Sequence, residues 1–231
     1  MTKPHTLTSF DERLDGLSEQ LRSLATTAGT MVDGCLDAFL DKDCAAAQAI
    51  IHRDLEVDRL EEAIHADVMD ILARLQPVSS DLRLVLAVER AASNLERVGD
   101  KAKSIAKRCL ALDGAAPALT QDTLDLLRGL ERAVSKMLED AIASLTRRSY
   151  ILAADVEARD SSADDLYDDL FHHVVAQLQQ DPANAAVNVH ALFVGKALER
   201  IGDHAANIAE EVRFLLRGRL AGAAGESPAE S

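Results

Sequence analysis

The feature that most constrains the fold is a long apolar seam in which the spacing alternates between four and three residues. One copy comprises Phe10, Leu14, Leu17, Leu21, Leu24, Ala28, Met31 and Cys35. A second copy with the same rhythm comprises Leu84, Val88, Ala91, Leu95, Val98, Ala102, Ile105 and Cys109. An average spacing of about 3.5 residues places all members on one narrow stripe of an α-helix. Such a stripe must be buried against neighbouring helices, so the pattern predicts a helical bundle.

The composition agrees with a folded, all-α protein. Aromatic residues make up 3% of the 231 residues, Trp is absent, and there are only 11 Gly and 5 Pro. This poverty in strand-forming and turn residues argues against a β-sandwich or a β-barrel. Apolar residues make up 48% and charged residues 28%, a balance that argues against intrinsic disorder.

Turn and breaker residues divide the chain into six helices. Asp41–Asp43, Pro77 and Pro182 separate consecutive apolar seams, and a break at 111–119 contains Asp113, Gly114 and Pro117. Ser79–Asp81 is expected to cap the third helix, and the fourth is expected to begin near Thr120. We predict two tandem three-helix bundles, residues 8–112 and 118–217, and a flexible tail over 218–231, where the composition collapses to small and polar residues.

Charge and cysteine content exclude several classes of function. The formal net charge of −14 repels a phosphate backbone and argues against nucleic-acid binding. Three cysteines without a CxxC motif encode neither a disulfide framework nor a thiolate zinc site, which fits a reducing cytoplasm. No apolar run has the length of a signal peptide or a membrane span, so we expect no direct membrane insertion and membrane contact only through a partner.

The sequence contains an internal duplication. The segment Leu95–Asp100 recurs as Leu198–Asp203, and five of its six residues are identical. The preceding helices also match, because Asp54 and Asp58 in the first half correspond to Asp160 and Asp164 in the second. The two predicted bundles are therefore homologous to each other.

The duplication repeats pairs of carboxylates. Each pair is an acidic residue followed four positions later by Asp: Asp54 with Asp58, Glu96 with Asp100, Asp160 with Asp164, and Glu199 with Asp203. Residues four apart lie on the same side of a helix, where like charges cost about 0.2–0.5 kcal/mol per pair. A bound cation would reverse that sign, and an all-oxygen site suits magnesium, manganese, ferric iron or a polynuclear cluster. The alternative is ordinary solvated surface, neutralised by nearby arginines.

Three residues beside these pairs have two interpretations each. Gly99 and Gly202 lie inside predicted helices at a cost near 1 kcal/mol, which indicates close approach of a helix, an ion or another subunit. Simple helix packing explains them equally well. His204 follows Asp203 and either completes a metal shell or caps the solvent face.

These residues carry a resemblance to a known family. The segments 95–100 and 198–203, and above all the stretch Ala197–Val212, resemble the PhoU family of phosphate-specific transport system accessory proteins. Pro77–Leu86, which contains Ser80–Arg83, is similar to the family's entry into its third helix. The resemblance covers about residues 8 to 217.

The resemblance implies a function and a set of ligands. Members are cytoplasmic negative regulators of the phosphate-starvation response, commonly homodimers, that link the ATPase subunit of the phosphate ABC transporter to a phosphate-sensing histidine kinase. Members also bind metal clusters through acid-xxx-Asp motifs, which here match all eight carboxylates named above. The metal is iron, zinc, manganese or magnesium, among which the resemblance does not choose. Lys101, Lys103, Lys107 and Arg108 distinguish the first half from the second and can make the two metal sites unequal.

The alternative function is a carboxylate-bridged diiron enzyme, since such sites also occur in helical bundles. They normally need two Glu-x-x-His elements, but this sequence has only Glu62 with His65, and Phe171 stands at the duplicated position of His65. Cys35 and Cys109 fall on apolar seams, where packing is the expected role. We therefore predict a regulatory adaptor and not an enzyme.

Overall fold

A computed structural model describes the backbone of residues 4–112 and 119–223 and the side chains of residues 12–112 and 119–216. It contains six long helices: α1 (Pro4–Leu40), α2 (Cys44–Leu75), α3 (Ser79–Ala111), α4 (Gln121–Arg147), α5 (Tyr150–Gln180) and α6 (Ala185–Ala223). A short 3-10 turn, Pro182–Asn184, separates α5 from α6. These described ranges contain no strand, which confirms the predicted all-α class.

The two apolar seams form the core of the molecule. Seven of the eight members of the seam on α3, from Val88 to Cys109, are buried, while Leu84 is partly buried. On α1, the positions from Leu17 to Cys35 are buried, and Leu14 packs against the core. Phe10 lies outside the side chains that the structure describes.

Local chemistry explains several of the helix ends. The Asp43 side chain accepts a hydrogen bond of 2.9 Å from the backbone N–H of Ala46 and so caps α2. Gln76 ends α2 in the left-handed conformation, immediately before Pro77. The Thr120 hydroxyl accepts a hydrogen bond from the backbone N–H of Thr123 and caps α4, which begins at Gln121, near the predicted position.

The predicted cap of α3 is wrong. The N-cap residue is Val78, which has extended backbone and no side-chain cap, while Ser79 already lies within the helix. The Ser80 hydroxyl instead contacts the carboxylate of Asp81. Asp81 remains in the first turn, where its negative charge favours the helix dipole.

The six helices pack as two groups of three. Within α1–α3 and within α4–α6, each helix contacts both of the others, which matches two tandem three-helix bundles. The bundles meet mainly through α3 and α6, with a smaller contact between α1 and α4. The two helices that carry the duplicated motif are therefore neighbours at the centre of the molecule.

The bundle limits 8–112 and 118–217 stay predictions. The predicted break residues Asp113, Gly114 and Pro117 lie outside the described residues, and so does the part of the predicted tail after Ala223. Its first residues, 218–223, belong to α6. None of the described helices has the length and apolarity that a membrane span needs.

Candidate metal centre

The duplicated acidic pairs lie on facing helices within each bundle. Asp54 and Asp58 are on α2, and Glu96 and Asp100 are on the facing helix α3. The negative charge of Asp100 contributes to the raised pKa of Asp58, so the two pairs interact across the helices. Asp160 and Asp164 are on α5, and Glu199 and Asp203 are on α6. In each bundle, the two acidic pairs therefore lie on helices that pack against each other.

Carboxylates converge most closely in the second bundle. Ligand oxygens of Asp164, Glu199 and Asp203 all lie within 4.8 Å of one another, and among the described residues they form the one such group of three potential metal ligands. Glu199 is 8% exposed, and its Oε2 is buried without a hydrogen-bond partner. A buried carboxylate oxygen without a donor is costly unless a cation approaches it, so this donor set fits a hard metal ion.

Asp160 interacts electrostatically with the same cluster of carboxylates. Burial raises the pKa of Asp160, and the charges of Asp164, Glu199 and Glu210 raise it further. Burial likewise raises the pKa of Asp203, together with the charges of Asp160 and Asp164. All four predicted ligands of the second bundle therefore interact, and without a cation their charges oppose one another.

A lysine occupies the corresponding place in the first bundle. The ammonium of Lys103 donates a hydrogen bond to Asp54 and a second one, of 3.0 Å, to Asp100 Oδ1. Asp54 is 3% exposed, so the lysine pairs with a buried charge on α2 and with a neighbour on its own helix. The hydrogen bond to Asp54 is the main cause that raises the pKa of Lys103, which keeps the side chain charged.

The other two acids of the first bundle lie beside this ion pair. Burial raises the pKa of Asp58, with Asp54 and Asp100 adding to the effect and Lys103 opposing it. Burial also raises the pKa of Glu96, reinforced by Asp100 and Asp58. The role of all eight carboxylates as metal ligands stays a prediction.

The sequence marks Lys103 only as one of several basic residues that distinguish the first half. A specific signal was available, because Lys103 lies three positions after Asp100 and so on the same face of α3. The duplicated position holds Ala206, so the lysine is present in one half only. What the sequence did not provide was the buried partner on α2.

The two motif glycines serve helix packing. A Cβ added at Gly99 would lie 3.1 Å from Val57 Cγ1 on α2, and one at Gly202 would lie 3.3 Å from Val134 Cγ1 on α4. Hydrogen in place of a side chain therefore lets α2 approach α3 and lets α4 approach α6. Both glycines therefore allow the close approach of a neighbouring helix.

His204 and His65 both contact side chains of α3. The Nδ1 atom of His204 lies 3.1 Å from Asn94 Oδ1, a contact between α6 and α3 across the two bundles. Burial is the main cause that lowers the pKa of His204 to about 4, so the imidazole is neutral near pH 7. The Nδ1 atom of His65 lies 2.5 Å from Glu89 Oε1, so this histidine links α2 to α3.

The cysteines on the seams are buried as predicted. Cys35 and Cys109 are both at most 1% exposed. Burial raises the pKa of the Cys35 thiol to about 12, which disfavours the thiolate that a nucleophile requires. Both side chains belong to the hydrophobic core.

Comparison with known proteins identifies a family whose domain matches each half of the chain. The family model of the PhoU domain matches the chain twice, over residues 21–109 and 127–212. These two matches fall one in each bundle. The duplication inferred from the six-residue motif is therefore a duplication of a whole domain.

Named relatives and solved structures match nearly the whole chain. Phosphate-specific transport system accessory protein PhoU homologs from Xylella fastidiosa and Caulobacter vibrioides are each 35% identical to it, cover 93% of this chain and are themselves covered to 89% and 92%. The crystal structure of PhoU from Pseudomonas aeruginosa superposes with a TM-score of 0.85 at 31% identity, covering 90% of this chain and 99% of that one. The structure of the phosphate transport system regulatory protein PhoU from Streptococcus pneumoniae gives a TM-score of 0.82 at 27% identity, covering 90% and 97%. With two copies of the domain, the motif and the fold in agreement, the chain belongs to the PhoU family.

Proposed function

We propose that this protein is an accessory and regulatory protein of a phosphate-specific transport system. The observation that carries the proposal is the match of the PhoU domain to both halves of the chain. Relatives named as accessory proteins of that system align along 93% and 94% of the sequence, so the likeness extends well beyond a shared motif. The protein acts by binding partners and not by catalysing a reaction.

In the finer proposal, the protein is a cytoplasmic adaptor and a negative regulator of the phosphate-starvation response. It links the ATPase subunit of the phosphate ABC transporter to a phosphate-sensing histidine kinase, and it holds the kinase in its phosphatase-favouring state when phosphate is plentiful. It works as a homodimer. The family resemblance supports these roles, and the packing of the two bundles against each other through α3 and α6 is compatible with a scaffold that presents two surfaces.

We further propose that the second bundle holds a metal ion. Asp164 on α5 would bind it together with Glu199 and Asp203 on α6, and Asp160 would complete the set of four. The ion would supply positive charge beyond that of Lys196, which pairs with Glu199 alone among the four. These residues would then tie α5 to α6, which links the metal to the stability of the bundle.

Affinity capture tests the adaptor role. The tagged full-length protein is used to capture partners from detergent-solubilised membranes of phosphate-replete cells, and the eluate is scored for the transporter ATPase and the sensor kinase. We expect both to be enriched over a capture with tag alone. Recovery of neither protein would contradict the proposal.

A reporter assay tests the direction of regulation. Deletion of the gene should raise expression from a phosphate-starvation promoter in phosphate-rich medium, because the kinase would lose its inhibitor. Complementation with the intact gene should restore repression. Low expression in the deletion strain would contradict a negative role.

A further inference from the structure

The two acidic sites are related by duplication but differ in the residue that stands three positions after the Asp of the duplicated motif. Lys103 follows Asp100 by three residues on α3, whereas Ala206 follows Asp203 by three residues on α6. Equivalent positions on equivalent helices thus present an ammonium group in the first bundle and a methyl group in the second. The difference lies on the face that carries the acids, because residues three apart share a helix face.

In the first bundle, the lysine bridges the two helices that carry the acids. Its Nζ atom donates to the buried carboxylate of Asp54 on α2 and to Asp100 Oδ1 on α3 at 3.0 Å. The ammonium is a compact charge with three donors, so it can satisfy oxygens from two sides of a site as a metal ion would. Removal of one partner from such a pair leaves a buried charge without compensation and is strongly unfavourable, so Lys103 is expected to stay bound to Asp54.

In the second bundle, the acids keep an unsatisfied oxygen. Lys196 approaches Glu199 Oε1 at 2.5 Å from three residues earlier on the same helix. On α5 its ammonium lies over the ring of Tyr167, 5.0 Å from the ring centre, and among the described residues it pairs with no carboxylate of that helix. Glu199 Oε2 remains buried without a hydrogen-bond partner, and ligand oxygens of Asp164 and Asp203 lie within 4.8 Å. The part of the chain that the structure describes shows no ion pair for Asp160, Asp164 or Asp203.

We infer that Lys103 is a built-in cation that takes the place of a metal in the first bundle, so that this protein binds metal only through the second bundle. The inference rests on the proposed metal-binding function. A metal entering the first site would have to displace the lysine from the buried Asp54 and would leave two positive charges close together. Both effects lower the affinity of the first site relative to the second.

Exchange of the two residues tests the inference. Lys103→Ala gives the first bundle the residue of the second, and Ala206→Lys does the reverse. Lys107→Ala is the matched control, since it removes the same charge from the same helix at an exposed position. Mn²⁺ bound to the full-length protein is measured by the electron paramagnetic resonance signal of the unbound ion, and circular dichroism checks the helix content.

We expect Lys103→Ala to roughly double the Mn²⁺ bound per chain, because it frees a second set of acids, and Ala206→Lys to remove most of the binding. Lys107→Ala should match the wild type. If Lys103→Ala loses helix content, Lys103→Met keeps the aliphatic stem and serves in its place. Unchanged binding in the folded Lys103 variant would overturn the inference.

Asparagine substitutions separate this inference from the proposal beneath it. In the wild type, Asp203→Asn should lower Mn²⁺ binding and Asp100→Asn should leave it unchanged. Loss of binding in Asp100→Asn would mean that the first bundle holds metal despite Lys103, which overturns the inference alone. A wild type that binds no Mn²⁺, with a Lys103→Ala variant that does, would instead overturn the proposed site in the second bundle and support the role of the lysine.

Discussion

Substitution of Asp203 by Asn should change the stability of the protein in opposite directions with and without metal. Two unit charges 4.8 Å apart repel by about 3 kcal/mol at an effective dielectric constant of about 20. Asp164 is exposed and salt screens the charges, so we take about 1 kcal/mol as the net repulsion that the substitution relieves. The metal-free variant should therefore unfold at a temperature about 2–4 °C above that of the wild type.

Added metal should reverse the order of the two proteins. A ligand at about 100 times its dissociation constant stabilises the native state by about 2.7 kcal/mol, and Asp203→Asn removes one of the oxygens on which that binding depends. Wild type in Mn²⁺ should then be the more stable protein, by about 1–2 kcal/mol if the variant binds no metal.

Thermal unfolding followed by circular dichroism measures both effects, once with EDTA and once with Mn²⁺. Asp165→Asn is the control, because it removes an exposed carboxylate from α5 next to Asp164 but outside the cluster. The control should move little in either buffer. The reasoning is refuted if Asp203→Asn destabilises the metal-free protein, or if Mn²⁺ stabilises the variant as much as the wild type.

Two further predictions concern helix packing and pH. Gly29→Ala should stabilise the protein by about 1 kcal/mol, since a Cβ there meets no atom within 4 Å. Gly99→Ala should instead destabilise it by up to about 2 kcal/mol, because the added Cβ would press against Val57. Urea unfolding measures both changes. Equal stabilisation by both would contradict the packing role. The hydrogen bond to Glu89 raises the pKa of His65, so the pair stabilises the fold below the ordinary histidine pKa and loses that effect as pH rises through the raised value. His65→Gln should therefore lower the melting temperature near pH 5.5 and have little effect near pH 9, and an equal loss at both would count against the charged pair.

Most of the fold was predictable because helix formation and burial follow local rules. The seam on α3 is buried from Val88 onward as its spacing requires, and Asp43 and Thr120 cap helices where short polar residues precede apolar runs. The predicted cap of α3 was wrong because local sequence did not determine where this helix begins. Ser79 to Asp81 offers three capping side chains, but only the backbone path after Pro77 decides which residue stands at the N-cap, and that residue is Val78.

For the candidate metal centre, the sequence determines the positions of the acids, and the tertiary structure determines their contacts. Spacing alone placed each acidic pair on one side of its helix, and the repeated motif alone indicated two homologous bundles and the family. Spacing did not determine that Lys103 reaches Asp54, that Glu199 keeps a buried oxygen without a donor, or that His204 faces Asn94. Those contacts join residues 49 or more positions apart or depend on burial, and only the packing of one helix against another fixes such distances.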